Sequence, residues 1–552
     1  MMRARWARAP RRSGAPALGA ALLAVALGGG AGAGASAGAG AGEPSGLALA
    51  AAGSVDEELE RWDLARAAEM VETMRGAFAG DAAFAYAEGR LEFFRGDYPA
   101  ALDRLEVAAR APGAPRYFEE ARALAASAKA ATADLVTVPS KDGTVIFRVA
   151  ERDRVLVPYA EEAFARIVAT VNDRLGFRPA TPVHVEFLPE VERLSAMTGL
   201  SVAAIHTSGT IAICKFARLM VTSPRALLHG YEWIDTLSHE YVHYAVNHLS
   251  GATVPIWLHE GLAKYLERAW REGGAAPATP RLPASMEHLL AVALKKGTLI
   301  PFEKMHPSMA LLPSQEEAAL AFAEVFTVVD YIVGRAGWDG TRTLLGEMRS
   351  GATVEDAVAD VTGVPFKKLL TDWKAGLYHK GFRTHPGHVD RGLSFRDPGA
   401  ADSDEEKPAL GEIKSDKARK FLRLGELLRE EGKVVAAAME LEKAHAADDG
   451  VGPTIALKLG RASLDVGKPA RAVEVVTPLL ALYPEMVGVH VVLGRARHAL
   501  GQEDEAVAEL TEALRINPFD PSVHKDLLSA YEALGRDGEA ARERDVLALL
   551  KR

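Results

Sequence analysis

The chain has a single cysteine, Cys214. No disulfide can form within it, so its stability must come from packed cores. No stripe of basic residues interleaves with aromatics, and the net charge is −9. That balance argues against nucleic-acid binding. Long apolar runs are also scarce. The run from Ala17 to Leu27 is too short to span a bilayer.

That run has a distinctive setting. Arg3, Arg5, Arg8, Arg11 and Arg12 precede it, and small-residue sites such as Ala35-Ser36-Ala37 follow. The pattern is that of a secretory signal, so export to a periplasmic or secreted location is expected, with an uncleaved signal anchor as the alternative and no other membrane span. Residues 1–53 are assigned to this signal and a Gly/Ala-rich linker. The full 552 residues suggest three or four domains.

The informative stretch is Asp235 to Tyr244, which contains His239, Glu240 and His243 in the spacing H-E-x-x-H. Positions i and i+4 lie on one face of a helix, so the two imidazoles can grip one metal ion. Glu240 is rotated about 100° from His239. This places a carboxylate beside the open metal position, where it can take a proton from water. A third ligand is required. Glu260, 17 residues beyond His243, opens a second helix-like segment, with Ser250-Gly251-Ala252 as the turn between. Two His and one Glu with a fourth position open is a catalytic zinc set.

H-E-Y-V-H followed by P-I-W-L-H-E-G-L-A-K-Y-L-E resembles the gluzincin metallopeptidases, and most of all the peptidase MA-like proteins. The resemblance implies one Zn²⁺ at His239, His243 and Glu260, with Glu240 as general base. It also implies an edge strand that pairs with an extended substrate, for which residues 207–215 are the candidate. Three departures are visible. Lys264 stands where the thermolysin-like branch has an Asp that orients a histidine. The upstream G-x-M-E-N stretch of aminopeptidases is missing, which favours an endopeptidase. Phe322 occupies the place of the family's oxyanion-stabilising Tyr, leaving Tyr331, Tyr265 and His306 as candidates. His248 and His259 read as a helix-end residue and a neighbour of the cleft.

The rest of the chain frames this domain. Residues 54–135 read as helices, and Phe84 to Ala101 resembles one tetratricopeptide repeat, with small residues at Gly89, Gly96 and Ala101. Residues 136–395 mix strands and helices, the pattern of an α+β domain. Residues 396–412 form an acidic, Pro/Gly-containing linker. Beyond it Gly432, Gly467, Gly501 and Gly535 recur at 35, 34 and 34 residues, each followed five residues later by Ala. This is the period of about four tetratricopeptide repeats over 413–552. Such repeats stack into a grooved solenoid that holds a peptide or protein partner, or one that packs on the neighbouring domain.

The expected architecture is thus multidomain. An α+β gluzincin-like (thermolysin-like) metallopeptidase domain is flanked by α-helical repeat domains. The expected activity is hydrolysis of a protein or peptide substrate. The competing expectation is a catalytically inactive metal-binding adaptor.

Overall fold

The computed structural model describes residues 41–271, 282–385, 392–396, 413, 415–448 and 453–551. The expected signal (within residues 1–40) and residues 397–412 of the expected linker lie outside them. The chain divides into two compact units, one ending at Ala133 and one beginning at Asp134.

The first unit is helical: α1 (Gly46–Glu60), α2 (Leu64–Phe78), α3 (Ala82–Arg95), α4 (Tyr98–Ala109) and α5 (Arg116–Thr132). The linker expected to run to residue 53 stops earlier. Ser45 caps α1 by accepting the Ala48 N–H, and the Leu- and Ala-rich stretch after it favours helix. The small-residue pattern read in α3 has a packing cause. A Cβ on Gly89 would sit 2.6 Å from Leu105 Cγ on α4. Within this unit the Asp56 carboxylate accepts from Tyr86 Oη, at 2.7 Å, and from Arg90 Nε, at 2.8 Å.

The second unit opens with a five-stranded mixed sheet. The strands are β1 (Leu135–Pro139), β2 (Val145–Ala150), β3 (Val183–Leu188), β4 (Ala212–Lys215) and β5 (Arg218–Thr222). Their order is β1-β2-β3-β5-β4, with β4 antiparallel to β5 and outermost on its side. The amphipathic helix α6 (Leu156–Leu175) crosses between β2 and β3. The edge strand is shorter than expected. Residues 202–208 form a helix, capped at Ser201 and closed by Gly209 at φ 72°, so only Ala212–Lys215 remain extended. Before it comes a short helix, α7 (Val191–Thr198); the helix at Val202–Ser208 is α8.

The H-E-x-x-H stretch lies in α9 (Trp233–Ser250), and the third-ligand segment in α10 (Ile256–Leu266). Leu237, Tyr241 and Tyr244 face the core, where Tyr241 meets the Phe164 ring edge-on at 5.1 Å. α11 (Ala284–Lys296) follows, then the long α12 (Gln315–Arg349), kinked at Gly337, then α13 (Val354–Thr362) and α14 (Phe366–Lys380). α10 lies so close to α12 that a Cβ on Gly261 would fall 2.6 Å from Val329 Cγ2 and 2.8 Å from the Val325 carbonyl oxygen.

The four C-terminal repeats are helix pairs: α15 (Asp416–Glu430) with α16 (Val434–Ala447), α17 (Pro453–Asp465) with α18 (Pro469–Leu480), α19 (Val487–Ala499) with α20 (Glu503–Ile516), and α21 (Pro521–Ala533) with α22 (Asp537–Leu549). Gly432, Gly467, Gly501 and Gly535 all take φ between 68° and 74° in the intra-repeat turn, a conformation other residues disfavour. The last two repeats pack directly on the sheet-bearing half of this unit. Fully buried Trp233, at the start of α9, donates its indole N–H to the Leu514 carbonyl at 3.0 Å. The Tyr231 N–H reaches the Ile516 carbonyl at 3.0 Å. Tyr159 Oη on α6 donates to the Glu543 carboxylate, which also pairs with His524 Nδ1 at 2.7 Å.

Two expectations follow from this core. Gly261→Ala forces a methyl against backbone and should destabilise the second unit by about 1–3 kcal/mol in chemical denaturation. Glu324 on α12 is 1% exposed, and burial pushes its pKa up to about 8, despite the Ile300 N–H it accepts. The folded state therefore holds a proton that the unfolded chain releases above its ordinary range near 4.5. Stability must fall as pH rises from about 4.5 to about 8. Glu324→Gln keeps the acceptor and should flatten that slope, gaining on the order of 2–4 kcal/mol at pH 8.

Candidate metal centre

α9 brings His239 and His243 onto one face, and the turn at Gly251, with φ 64°, returns the chain so that α10 lies against it. Three donor atoms then converge. His239 Nε2 and His243 Nε2 are 3.1 Å apart. Glu260 Oε2 stands 3.3 Å from the first and 3.2 Å from the second. Ligands about 2.05 Å from a tetrahedral zinc are separated by about 3.3 Å along each edge. The set therefore fits zinc without rearrangement, and it is the one three-residue group of metal-ligating side chains so placed among the described residues.

The surroundings favour a cation. Burial works against charge on His239, yet hydrogen bonds to Glu260 and Glu267 and the charge of Glu240 outweigh it and lift its pKa to about 10. Glu260 moves the opposite way. Burial is outweighed there by His243 and His239, which hold its carboxyl well below the usual range. Glu240, 5% exposed, lies one residue along from His239. Burial raises its pKa against the pull of both histidines, and the Cys214 N–H of edge strand β4 bonds to its carboxylate. A carboxyl of raised pKa thus sits between the ligand set and the sheet edge.

The residue that orients His239 was not visible in the motif. Glu267 Oε2 lies 3.3 Å from His239 Nδ1, and Lys264 Nζ holds the other carboxylate oxygen at 2.6 Å. Lys264 and His239 keep the Glu267 carboxyl ionised, down to about 2, against burial. So Lys264, read in the sequence as a departure from the thermolysin-like pattern, grips the acid that bonds to His239. The available signal was spacing: Glu267 is seven residues beyond Glu260, two helical turns along the same face.

His259 stacks on His243 with ring centroids 4.3 Å apart. Burial drops its pKa to about 3, leaving a neutral ring. His248 is elsewhere, stacked on Phe177 in the last turn of α9. Phe322 lies edge-on to His239 at 6.0 Å. Of the candidate electrophilic helpers, Tyr265 donates to Asp330 at 3.4 Å and Tyr331 accepts from Arg335 at 2.7 Å. His306 is exposed.

The start of α9 carries its own charge network. Asp235 accepts from Trp270 Nε1 at 3.0 Å and from Arg271 Nη2 at 2.7 Å. Arg271 continues to Glu512 of the third repeat at 2.7 Å. Through that guanidinium the repeat array is tied to the helix that holds the histidines.

Comparison with known proteins fits this geometry. The Peptidase MA superfamily matches residues 163–379, which include His239, Glu240, His243 and Glu260. A tetratricopeptide repeat matches residues 463–531. No curated protein matches the sequence. Among solved structures, "MamA MSR-1 C2" is 27% identical over 24% of this chain and 76% of that one, with a TM-score of 0.23. TTC0263, a thermophilic TPR protein in Thermus thermophilus, is 30% identical over 24% of this chain and 74% of that one, with a TM-score of 0.22. The first TPR of Spaghetti (RPAP3), bound to HSP90 peptide SRMEEVD, is 24% identical over 22% of this chain and 97% of that one, with a TM-score of 0.21. The chain therefore carries a Peptidase MA superfamily domain with tetratricopeptide repeats on its C-terminal side.

Proposed function

We propose that this chain is an exported zinc-dependent endopeptidase. The observation that carries the reading is the convergence of His239, His243 and Glu260 donors within 3.1–3.3 Å, with Glu240 adjacent and buried. One zinc ion held there supplies Lewis acidity toward a peptide carbonyl and toward water. Glu240 accepts the proton of the attacking water at its carboxylate and delivers it to the departing amide nitrogen. β4, outermost in the sheet and bonded to Glu240 through the Cys214 N–H, is placed to receive an extended substrate by strand addition. Strand addition binds main chain and selects little by sequence. The signal pattern supports export, and no helix among the described residues is long and apolar enough to cross a membrane. The repeats hold protein partners or substrate.

Two measurements test this reading. Glu240→Gln should keep one zinc per chain by elemental analysis, yet lose at least about a hundred-fold in cleavage of a peptide library. Unchanged cleavage excludes Glu240 as the base. Zinc bound by the unmodified chain without cleavage of any library member favours the inactive adaptor. Glu267→Gln should weaken zinc about 10–100-fold in competition with a chelator, because His239 loses its orienting carboxylate. Lys264→Ala should act in the same direction and less strongly.

A further inference from the structure

Two walls of the cleft can be traced outward from Glu240. One is β4. The Thr222 N–H bonds to the Ile211 carbonyl at 2.8 Å, so strand alternation turns the main-chain groups of Ala212 and Cys214 to the free edge. The Cys214 N–H that meets Glu240 lies on that edge. An extended chain paired there and followed toward the start of β4 passes Ala212 and heads for Gly209. The other wall is α12. Phe322 stands edge-on to His239, and Gln315 begins the same helix about 10 Å away along its axis.

These two walls meet. Gln315 Nε2 donates to the His206 carbonyl at 3.2 Å, and a Cβ on Gly209 would fall 3.2 Å from Gln315 Cδ. An apolar seam backs this hydrogen bond. The turn Met309–Leu311 packs on α8, where Ile205 is 0% exposed and Met309 of the turn 3%. A second layer lies against the first. The Gln315 amide also accepts the Leu393 N–H at 2.6 Å and donates to the Leu393 carbonyl at 3.2 Å. Phe395 stacks on His206 with ring centroids 4.4 Å apart. The cleft is therefore a wedge. It is open by the ligand set and closed at Gly209, at most about 16 Å or about five extended residues beyond Cys214.

We propose that this end wall stops the substrate, so that a chain enters the cleft by a free terminus and is cut within about five residues of it. The proposal rests on the peptidase reading above and narrows its substrates to linear, unfolded chains with a free end.

The first products from unstructured peptides several times longer than that limit, mapped by mass spectrometry on the full chain with zinc, test it. First cuts should fall within about five residues of one terminus, the same terminus in every peptide. Head-to-tail cyclic forms of the same peptides should be cut at least about ten-fold more slowly, since strand addition then has no end to admit. First cuts flanked by longer stretches on both sides overturn the proposal, and so do equal rates for cyclic and linear forms. Binding of the same peptides to Glu240→Gln, read by fluorescence anisotropy, separates this test from that of the peptidase reading. Tighter binding of linear than of cyclic forms, with nothing cut by the unmodified chain, sinks the peptidase reading and leaves the end wall standing. Equal binding of the two forms, or binding of neither, overturns the end wall. A photoreactive group on the limiting terminus of a linear peptide bound to Glu240→Gln should label the segments that carry Gln315 or Leu393. Labelling confined to other segments also overturns the proposal.

Discussion

Two imidazoles on one helix and a carboxylate on the next can share a cation only if the helices approach closely, and α10 is held in place at Gly261. There a side chain of even one carbon would strike Val329 and the Val325 carbonyl oxygen on α12. Glu260 is the adjacent residue, so its reach toward α9 inherits the precision of that crossing. The glycine in W-L-H-E-G is thus a packing residue whose effect is felt one position away, at a ligand. α12 backs the site from the far side and brings Phe322 to the edge of the His239 ring.

Charge is the second constraint. Glu240, Glu260 and Glu267 all act on His239 and favour its charged form, and burying carboxylates is costly unless they are paired. The chain answers with Lys264, bonded to Glu267, with the charge of nearby Arg268, itself bonded to Glu232, and with the two histidines. The lysine read in the sequence as a departure from the thermolysin-like pattern thus has a place in the site. The acid on His239 is Glu267, three residues beyond it at the end of α10, and the lysine steadies it. His243 is treated differently. Its Nδ1 has no hydrogen-bond partner among the described residues, and its ring is fixed by stacking on neutral His259.

What could be read in the sequence was whatever depends on short, regular spacing. His239 and His243 declare themselves by one helical turn, and the repeats by glycines that need a left-handed conformation every 34 or 35 residues. Glu260 required a guess about a returning helix, and the turn at Gly251 supplies it. Features set by distant partners were hidden. Glu267 matters because of where α10 ends relative to His239. The start of β4 was misplaced because a capped helix and a left-handed Gly209 compete with extended chain over 202–208. Packing of the repeats on the neighbouring domain was one of two expectations, but its place on α9 was hidden, since Trp233 and Tyr231 bond to main-chain carbonyls of Leu514 and Ile516. Backbone acceptors leave no residue signature.

The docking of the last two repeats sets a direction for change in the array. An extra helix pair inserted ahead of α15 would leave Trp233, Tyr159 and Arg271 with their present neighbours. An insertion between the third and fourth pairs would break those contacts at the root of the histidine-bearing helix. Nearest-neighbour stacking lets a solenoid gain or lose units wherever no outside surface is attached. In this chain growth ahead of the first helix pair leaves those contacts intact, so the reach of the repeats can vary among descendants without disturbing the root of the histidine-bearing helix.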